Sequence, residues 1–455
     1  MMSKLVLDVE DSGERRLLAH TALAAGCVLI DERPVANILH ESHRESRCEA
    51  CLRQLGLTPL PCDVCSAVMY CSDDCRSSNL SSHLRECGRK CLYDLDEMAR
   101  LSIRLVDQLS VSEARMNPTK ILAMRGKRIP GCGPTGVYFG DSTSMLSLMP
   151  YLDRCTPHLR KQFDIESALI CAQLHDMDHR QLIWARGVLH NNSFSIKHTI
   201  SSDSNGIVEC TDAKVGVGVY VHASLINHSC TPNSVVEFIG SRIQVRAAQT
   251  IAAGDEVTIS YGPLAARQSK SERQEYFDQT WAFKCHRCTT CGSSIFLSDV
   301  RCSNCSTPVS ENAIRKDMSV AESLWRQSQN ATNPKQSIAL LKACCAMQMK
   351  LFHNATSLEL GRTFDALAET YAREGYFEEA GKWCFKSLDI LGRVYGETSI
   401  EYTRELPKLC SLLFQYAPTA DTLCWVDKAT KLYKQHFSSH NQDLMQLLQM
   451  KEVLS

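Results

Sequence analysis

Four pairs of metal-ligand residues follow one another in one short stretch of the chain. The pairs read Cys48-x2-Cys51, Cys62-x2-Cys65, Cys71-x3-Cys75 and His83-x3-Cys87. Two or three intervening residues let both side chains of a pair reach one zinc ion, and a closed tetrahedral site takes four ligands. Seven cysteines and one histidine therefore predict two structural zinc sites. Cys91 lies outside this pattern.

The composition is that of a folded protein with a nearly neutral surface. The chain has 455 residues, of which 24 are cysteine, and its 50 basic and 51 acidic residues give a net charge of −1. The length predicts two to four domains. Hydrophobic residues make up 44% and charged residues 22%, which is typical of an ordinary folded protein. The charge balance argues against direct binding to nucleic acid or to an acidic membrane, because these partners require a basic face.

The N-terminal segment, MMSKLVLDVEDSGERR, turns acidic at once and lacks the long apolar core of a secretory signal. No window approaches the roughly 18 apolar residues that a membrane-spanning helix needs. We therefore expect the chain in the cytoplasm, the nucleus or both, where cysteines are more often metal ligands than disulfides. The run RGKR at 125–128 is too short to identify an import signal.

Short β-prone segments lie on both sides of the cysteine cluster. Residues 17–30 and 247–261 share an apolar residue, two alanines, a glycine and then β-prone residues. This pattern is typical of a strand, a glycine turn and a second strand. Residues 215–221 and 234–246 also have the composition of strands. The segments predict one β-rich unit that is split by an insertion.

The insertion itself has a helical pattern. Apolar residues recur at three- and four-residue spacing over 91–118 and 156–190, which predicts helices. Residues 125–143 are rich in glycine and proline and are expected to form a loop.

The candidate chemical centre is Asn227-His228-Ser229-Cys230, followed by Thr231-Pro232-Asn233 and, further along, by Ser260-Tyr261-Gly262-Pro263. The series NHSCxPN, strand and AGxExxISYG resembles the SET domain of protein-lysine methyltransferases. A zinc finger of this spacing inserted into a split SET domain resembles the SET-and-MYND (SMYD) family. The resemblance covers about residues 13–281 and extends into the C-terminal region, and among the subtypes it is strongest for the fourth.

The resemblance implies an α+β multidomain protein: a split β-rich SET domain with an inserted MYND zinc finger and helical insert, a post-SET or zinc-ribbon segment, and an α-helical TPR-like C-terminal domain. The expected boundaries are 1–47 for the first SET part, 48–87 for the finger, 88–190 for the helical insert, 191–281 for the SET core, 282–306 for the post-SET or ribbon segment and 310–455 for the helical domain.

The resemblance also implies how the finger holds its metal. Its ligand pairs interleave, so Cys48, Cys51, Cys71 and Cys75 would hold one zinc, and Cys62, Cys65, His83 and Cys87 the other. Such closed sites stabilise a small fold and do no chemistry. Fingers of this family bind peptides, often proline-rich ones, so protein partners are expected.

For the SET part, the resemblance implies transfer of a methyl group from S-adenosylmethionine to a protein lysine, in histone or non-histone substrates. Asn227 and His228 would contact the cofactor, together with Asn192 of an NxF segment and Arg15 of the first turn. Phe283 would lie near the adenine, and Tyr261 would be the active-site tyrosine. For each residue a purely structural role is the alternative, as a turn-forming asparagine or a core tyrosine.

Two departures from the family pattern concern activity. The first departure is in the first turn, where the family has a GRxL-type glycine. In this chain Glu14 occupies the position expected for that glycine, and Gly13 lies one residue earlier. Only glycine permits the closest backbone approach to a ligand.

The second departure is the post-SET segment, where the family's FxCxCxxC has lost its CxC. In one scheme, Cys288, Cys291, Cys302 and Cys305 form a zinc ribbon, giving about three zinc ions per chain. In the other, Cys230 and Cys285 join Cys288 and Cys291 in a post-SET site. We favour the ribbon, because two paired knuckles need no unusual geometry.

Residues 310–455 have strong helical periodicity. A helix pair of tetratricopeptide type is indicated by the spacing of Leu367, Ala368, Tyr371, Gly375, Ala380, Cys384 and Ser387. Ala339 and Ala429 fall at similar places in looser repeats. A concave peptide-binding surface and a plain helical cap on the SET core are equally compatible with this pattern.

Two functions follow. The first is a monomeric methyltransferase whose finger and helical domain select protein partners. The second is a catalytically weak or inactive adaptor that keeps the SET fold as a scaffold. Glu14 and the altered post-SET cysteines favour the adaptor, whereas intact Asn227, His228 and Tyr261 favour the enzyme.

Overall fold

A computed structural model gives the fold of the chain. It describes residues 4–9, 15–111, 142–204, 207–229, 232–262, 276, 311–351, 358–439 and 441–455. Predictions that concern Gly13, Glu14, Cys230, most of the loop at 125–143, and the segment 282–306 lie outside the described residues. The described residues fall into two compact units. The first holds those up to His198, those from Asp212 to Tyr261 and Tyr276. The second holds those from Thr199 to Thr211, Gly262 and those from Glu311 onward.

Small β-sheets form the centre of the first unit. Strand β1 pairs antiparallel with β2, β10 and β3 flank β11 in an antiparallel sheet, and β8 lies between β4 and β7. The strands are β1 (Leu5–Val9), β2 (Arg15–Ala19), β3 (Val28–Glu32), β4 (Ala36–Leu39), β5 (Leu60–Pro61), β6 (Met69–Tyr70), β7 (Ser193–Ser204), β8 (Ile207–Val219), β9 (Asn227–His228), β10 (Ser234–Ile239), β11 (Arg242–Ala247) and β12 (Thr258–Ile259). The β-rich unit is therefore split in sequence, as its segments predicted.

The two similar alanine-glycine segments lie side by side. Leu23 and Ile251 exchange both backbone hydrogen bonds, each 2.9 Å long. The glycines that follow the alanines, Gly26 and Gly254, have φ of +80° and +85°, a region that glycine enters without steric cost. The strand–turn–strand prediction is confirmed for 17–30. In 247–261 the first strand is only the end of β11, and the last is the two-residue β12.

Five helices of the first unit are described: α1 (Asp73–Leu84), α2 (Lys90–Tyr93), α3 (Glu97–Val111), α4 (Pro157–Gln173) and α5 (His179–Asn192). Each predicted helical stretch is thus divided. Helix α3 starts where the Asp96 carboxylate accepts from the Ala99 N–H, and α5 starts where Asp178 accepts from the N–H groups of Arg180 and Gln181. A side chain that satisfies the first N–H groups favours a new helix start over continuation.

Helix α3 is enclosed on nearly all sides. Leu101, Ile103 and Leu105 are fully buried in the main hydrophobic core, and Arg100 and Arg104 are buried as well. A helix with apolar and charged residues both buried requires carboxylate partners from neighbouring elements. The finger supplies these partners, as described below.

The second unit is helical, as predicted. Its helices are α6 (Glu311–Gln329), α7 (Pro334–Leu351), α8 (Leu358–Arg373), α9 (Phe377–Tyr395), α10 (Ile400–Tyr416), α11 (Ala420–His436) and α12 (Gln442–Leu454). Helices α8 and α9 join through a short turn at Gly375, whose φ is +78°. The small residues Ala368, Ala380 and Cys384 are buried near this turn. No helix in the described parts of the chain is both long enough and apolar enough to cross a bilayer.

The equivalence of Ala339 and Ala429 is wrong. Ala429 is fully buried, whereas Ala339 lies on an exposed face of α7. The buried residues that the structure describes in that helix are Leu341, Cys344, Cys345 and Gln348. A small residue at a suitable spacing does not by itself identify the face that packs.

Candidate cofactor site and zinc centres

The finger brings its first four cysteines together. The sulfurs of Cys48, Cys51, Cys71 and Cys75 all lie within 4.8 Å of one another. The Cys51 and Cys71 sulfurs are 3.6 Å apart, and those of Cys71 and Cys75 are 3.5 Å apart. Tetrahedral zinc with bonds of about 2.3 Å places its sulfur ligands roughly 3.8 Å apart. The four thiols therefore have the chemistry and the spacing to hold one zinc ion.

The second group consists of Cys62, Cys65, His83 and Cys87, again within 4.8 Å of one another. The His83 Nε2 atom is 3.3 Å from the Cys65 sulfur, and the Cys62 and Cys87 sulfurs are 3.8 Å apart. On the other side of the ring, Nδ1 lies 3.3 Å from the Tyr93 hydroxyl. An outer partner of this kind fixes the ring orientation of a metal-binding histidine. The ligands thus interleave in the way that the family resemblance implies.

Local turns shape these ligand pairs. Leu52 directly follows Cys51 and Ser66 directly follows Cys65, and both have positive φ, of 60° and 52°. After the second knuckle, the Ala67 N–H points at the Cys65 sulfur at 3.4 Å. Ser72 caps α1 by accepting from the N–H of Cys75. Backbone turns and a helix cap therefore shape three of the four ligand pairs.

A parallel strand pair brings the two chemical motifs together. Strand β9 pairs with β12, so that Asn227 lies opposite Thr258 and His228 opposite Ile259. The pairing continues where the Ser229 N–H donates to the Ile259 carbonyl at 2.9 Å. The motif NHSC consequently lies alongside ISYG, although the two are far apart in sequence.

His228 and Tyr261 are in direct contact. The Tyr261 N–H donates to His228 Nδ1 at 3.0 Å, so the neutral imidazole carries its proton on Nε2. The two rings are 5.4 Å apart between centroids. The Tyr261 hydroxyl donates to the Ile226 carbonyl at 2.7 Å. Since its hydrogen is used in this bond, the hydroxyl oxygen acts toward another group as an acceptor.

Asn227 is held through its side-chain nitrogen. Its Nδ2 donates to the Arg15 carbonyl at 2.7 Å and to the Glu256 carboxylate at 2.8 Å. Arg15 in turn donates through Nη1 to the Ser147 carbonyl at 2.5 Å. The start of β2, the NHSC segment and the turn at 142–147 are thereby connected.

Asn192 ends α5 close to the same turn. Its Nδ2 donates to the carbonyls of Met149 and Val188, at 3.1 and 2.8 Å. Its own carbonyl accepts from the Ser224 hydroxyl at 2.8 Å. Hydrogen bonds to Ser147 and Met149 thus link Arg15 and Asn192 through one short segment, and Asn227, which precedes His228, bonds to Arg15. Phe283 and the cysteines at 230, 285, 288, 291, 302 and 305 lie outside the described residues.

Two acidic residues of this region escape a local reading of the sequence. Glu256 is visible only as the second of two acidic residues in AGDEVTISYG. Glu32, at the end of β3, accepts from the N–H groups of His222 and Ala223 at 3.2 Å, just before the NHSC segment. Burial raises the pKa of Glu32 to about 7, although the N–H groups act in the opposite direction.

These residues fit a cationic, nucleoside-bearing cofactor. The side-chain amides of Asn192 and Asn227 donate their N–H groups to neighbouring protein oxygens. The Oδ1 atoms of these two asparagines accept no hydrogen bond from any residue that the structure describes. Amide oxygens of this kind accept from ammonium and amino groups. S-adenosylmethionine carries an ammonium, an exocyclic amine and a sulfonium, and the carboxylate of Glu256 adds a matching negative charge.

Comparison with known proteins agrees with this geometry. The sequence matches the SET domain over residues 14–262, more than half of the chain. The chain therefore belongs to the SET domain family.

Within that family it is similar to the SMYD proteins. It is 26% identical to "Protein-lysine N-methyltransferase SMYD4" of Mus musculus over 499 residues, covering 90% of this chain and 62% of the relative. The human protein of the same name is 24% identical with the same coverage. "Histone-lysine N-methyltransferase ASHR1" of Arabidopsis thaliana is 25% identical, covering 84% of this chain and 81% of the relative. The chain thus spans about 62% of the length of the mouse and human relatives.

Proposed function

We propose that the chain is an S-adenosylmethionine-dependent protein-lysine N-methyltransferase that acts on histone or non-histone proteins. The observation that carries the proposal is the arrangement of Tyr261 beside His228 across the β9–β12 pair. The names of the SET relatives support it. Because the chain spans only part of those relatives, the activity is proposed for this chain on its own site.

When bound, S-adenosylmethionine supplies a methyl group that is already activated on a sulfonium. Asn227, Asn192 and Arg15 would hold and orient this cofactor, with His228 contributing from β9. The protein's main contribution is position, since a direct displacement needs donor and acceptor in line. No proton has to be moved by a dedicated base if the lysine arrives as the neutral amine.

Tyr261 acts on the lysine side. Because its hydroxyl hydrogen is donated to the Ile226 carbonyl, the hydroxyl oxygen would accept from an N–H of the amine. This contact would orient the nitrogen lone pair for attack on the methyl group. Desolvation of the bound lysine would favour the neutral amine, because burial disfavours the charged form of lysine.

The finer architecture belongs to the same proposal. Residues 48–87 form a MYND-type finger with two zinc ions, which recognises protein partners, including proline-rich segments. The segment 282–306 adds a third zinc through Cys288, Cys291, Cys302 and Cys305. Residues 310–455 form a TPR-like domain that helps to select the substrate. The two ligand groups of the finger and the paired helices α8 and α9 support this reading.

The test is cofactor binding by the zinc-loaded full chain, followed by methyl transfer. We expect isothermal titration to detect S-adenosylmethionine and Asn227→Ala to weaken its binding at least about tenfold. Tyr261→Phe should leave binding within about twofold while cutting turnover on a protein substrate about a hundredfold or more, as for loss of an interaction made in the transition state. Tyr276→Phe, which changes another tyrosine, is the matched control. No binding at high micromolar cofactor would refute the enzyme.

The second candidate is a non-catalytic adaptor. Two sequence features favour it: Glu14 replaces the expected glycine of the first turn, and the post-SET segment lacks its CxC. An adaptor would show partner binding that does not change on addition of S-adenosylmethionine. The same titration therefore separates the two functions.

A further inference from the structure

The side-chain amide of Asn227 has both of its hydrogens in use. One points at the Arg15 carbonyl, 2.7 Å from Nδ2, and the other at a carboxylate oxygen of Glu256, at 2.8 Å. Both partners are acceptors only, one a backbone carbonyl and the other an ionisable carboxyl group. The amide therefore has one favourable orientation.

Turning the amide over would place Oδ1 against two acceptor oxygens. Such an arrangement loses two hydrogen bonds and sets like partial charges against one another. Oδ1 is consequently directed away from Glu256 and Arg15. It can serve a ligand only as an acceptor.

Glu256 is itself held from both sides. It bridges to Leu18 of β2, and the neighbouring Val257 N–H donates to the Leu17 carbonyl at 2.8 Å. Asn233 donates through Nδ2 to the Glu256 carbonyl at 2.8 Å. The Asn233 Oδ1 atom accepts from the Thr258 N–H at 2.8 Å. The backbone around Glu256 is thus fixed, and the carboxylate lies where it can orient Asn227.

We propose that Glu256 is a positioning residue for the cofactor: it holds the Asn227 amide so that Oδ1 accepts a hydrogen bond from an N–H donor of S-adenosylmethionine. The inference rests on the proposed function and adds a residue to it. Glu256 acts through Asn227 and is not required to touch the reacting atoms. The donor is the ammonium group or the exocyclic amine, which share this chemistry.

Affinity measurements on the zinc-loaded full chain test the proposal. We expect Glu256→Ala to weaken the binding of S-adenosylmethionine about tenfold, the usual effect of one hydrogen bond to a charged group. Glu256→Gln should recover most of this loss, because the amide oxygen still accepts from Nδ2. Asp255→Asn is the matched control: this neighbouring carboxylate is exposed, accepts from the Ala252 N–H, and should leave affinity unchanged.

A double variant separates positioning from general damage. If Glu256 acts through Asn227, the pair Glu256→Ala and Asn227→Ala binds no more weakly than Asn227→Ala alone. S-adenosylhomocysteine, which retains both N–H donors, is the probe if binding of S-adenosylmethionine becomes too weak. An additive further loss, or a Glu256→Ala chain that binds like the wild type, overturns the proposal.

One further measurement uses the wild-type protein and therefore does not depend on the folding of a variant. In wild-type protein labelled with ¹⁵N-asparagine, we expect both Nδ2 hydrogens of Asn227 to exchange with solvent more slowly than those of exposed asparagines, without added cofactor. Rapid exchange overturns the positioning role. A wild-type chain that shows protected hydrogens but no cofactor heat refutes the proposed function instead, so the two failures are distinguishable.

Discussion

Glu86 and Arg104 form an ion pair that solvent does not reach, with Arg104 Nε 2.9 Å from a Glu86 carboxylate oxygen. The side chain of Arg104 is 2% exposed and that of Glu86 is 0% exposed. Glu86 lies in the finger between His83 and Cys87, and Arg104 lies in α3. The same guanidinium pairs with Glu49, next to Cys48, at 2.6 Å. It also donates to the Asn37 carbonyl of β4 at 2.9 Å. One arginine therefore connects both zinc-ligand groups to the core.

Arg100 completes this network. It donates to Glu86 at 3.0 and 2.5 Å, and its guanidinium lies 4.7 Å from the ring centroid of Tyr93. Tyr93 contacts His83 through its hydroxyl. Burial raises the pKa of Glu86, but the two guanidiniums outweigh it and hold the pKa below its ordinary value. Two carboxylates and two guanidiniums thus balance inside the protein.

Removing one charge from this network should be costly. In Glu86→Gln, Arg104 keeps its pair with Glu49, but Arg100 loses the carboxylate with which it pairs. An uncompensated buried charge costs about 3–5 kcal/mol. We expect a fall of this order in the free energy of unfolding of the first unit, measured in urea with zinc present. Asp63→Asn is the control, because its pair with Arg76 is exposed and contributes under about 1 kcal/mol. Equal stability of the two variants would contradict the buried network.

The two ligand groups predict a defined loss of metal. Cys87→Ser removes one ligand of the second group, so we expect one zinc fewer per chain by native mass spectrometry. The first group should keep its ion. Cys91→Ser changes an exposed cysteine outside both groups and should leave the zinc count unchanged. If Cys91→Ser also lost zinc, the assignment of ligands would be wrong.

Much of this architecture could be read from local sequence, because local chemistry dictates it. Zinc coordination restricts the spacing of Cys48, Cys51 and the other ligands, and glycine turns such as that at Gly254 have a clear signature. The way in which the ligand pairs interleave came from the family resemblance. The helical character of the C-terminal region followed from its periodicity.

Contacts between distant segments could not be read in this way. Asn227 and Glu256 meet only because two strands of two residues each, β9 and β12, pair in parallel. From the sequence alone, Arg100 and Arg104 would be expected on an exposed face of a helix. They are buried because Glu86 of the finger pairs with both of them. Ala339 had a suitable spacing but lies on the exposed face of its helix. Each of these depends on which surfaces pack, and a linear pattern does not specify this.

Glu32 predicts a pH dependence of stability. Its folded pKa of about 7 lies above the ordinary value of 4.5, chiefly because of burial. The folded state therefore binds the proton more tightly, and this group's contribution to stability is lost as pH rises from about 4.5 through about 7. We expect Glu32→Gln, which keeps an acceptor oxygen but cannot ionise, to gain about 2–3 kcal/mol over the wild type across this range. Urea unfolding at several pH values measures it.

Asp31, the residue before Glu32, predicts the opposite pH dependence of stability. A hydrogen bond from Arg242 lowers the pKa of Asp31, so its stabilising contribution is present above the ordinary carboxyl pKa and is lost as pH falls below it. Asp31→Asn should therefore lose stability relative to the wild type at neutral pH, and the difference should disappear in acid. A Glu32→Gln curve parallel to that of the wild type between pH 4.5 and pH 7 would show that Glu32 is not perturbed in this way.

Gly187 predicts a steric cost where α5 meets the segment that holds Asn192. A methyl group at Gly187 would lie 2.8 Å from the Pro150 carbonyl oxygen and 2.7 Å from a Leu152 methyl. The carbonyl belongs to the backbone, so the segment itself must move, and Met149, which accepts from Asn192, moves with it. Alanine favours a helix over glycine by about 1 kcal/mol. We nevertheless expect Gly187→Ala to lower the free energy of unfolding by about 1–3 kcal/mol, because overpacking outweighs propensity.

The control for Gly187 is a helix glycine with room beside it. At Gly392 in α9, the nearest atoms to an added methyl are Glu397 Cγ and Tyr402 Cε2, both side-chain atoms at 3.4 Å, an ordinary contact distance. Gly392→Ala should therefore raise stability by up to about 1 kcal/mol. Thermal melting of both variants measures the contrast, and cofactor titration of Gly187→Ala measures the displacement of Asn192, with weaker binding expected. If both glycines tolerate alanine equally, the close approach of α5 to Pro150 does not exist in solution.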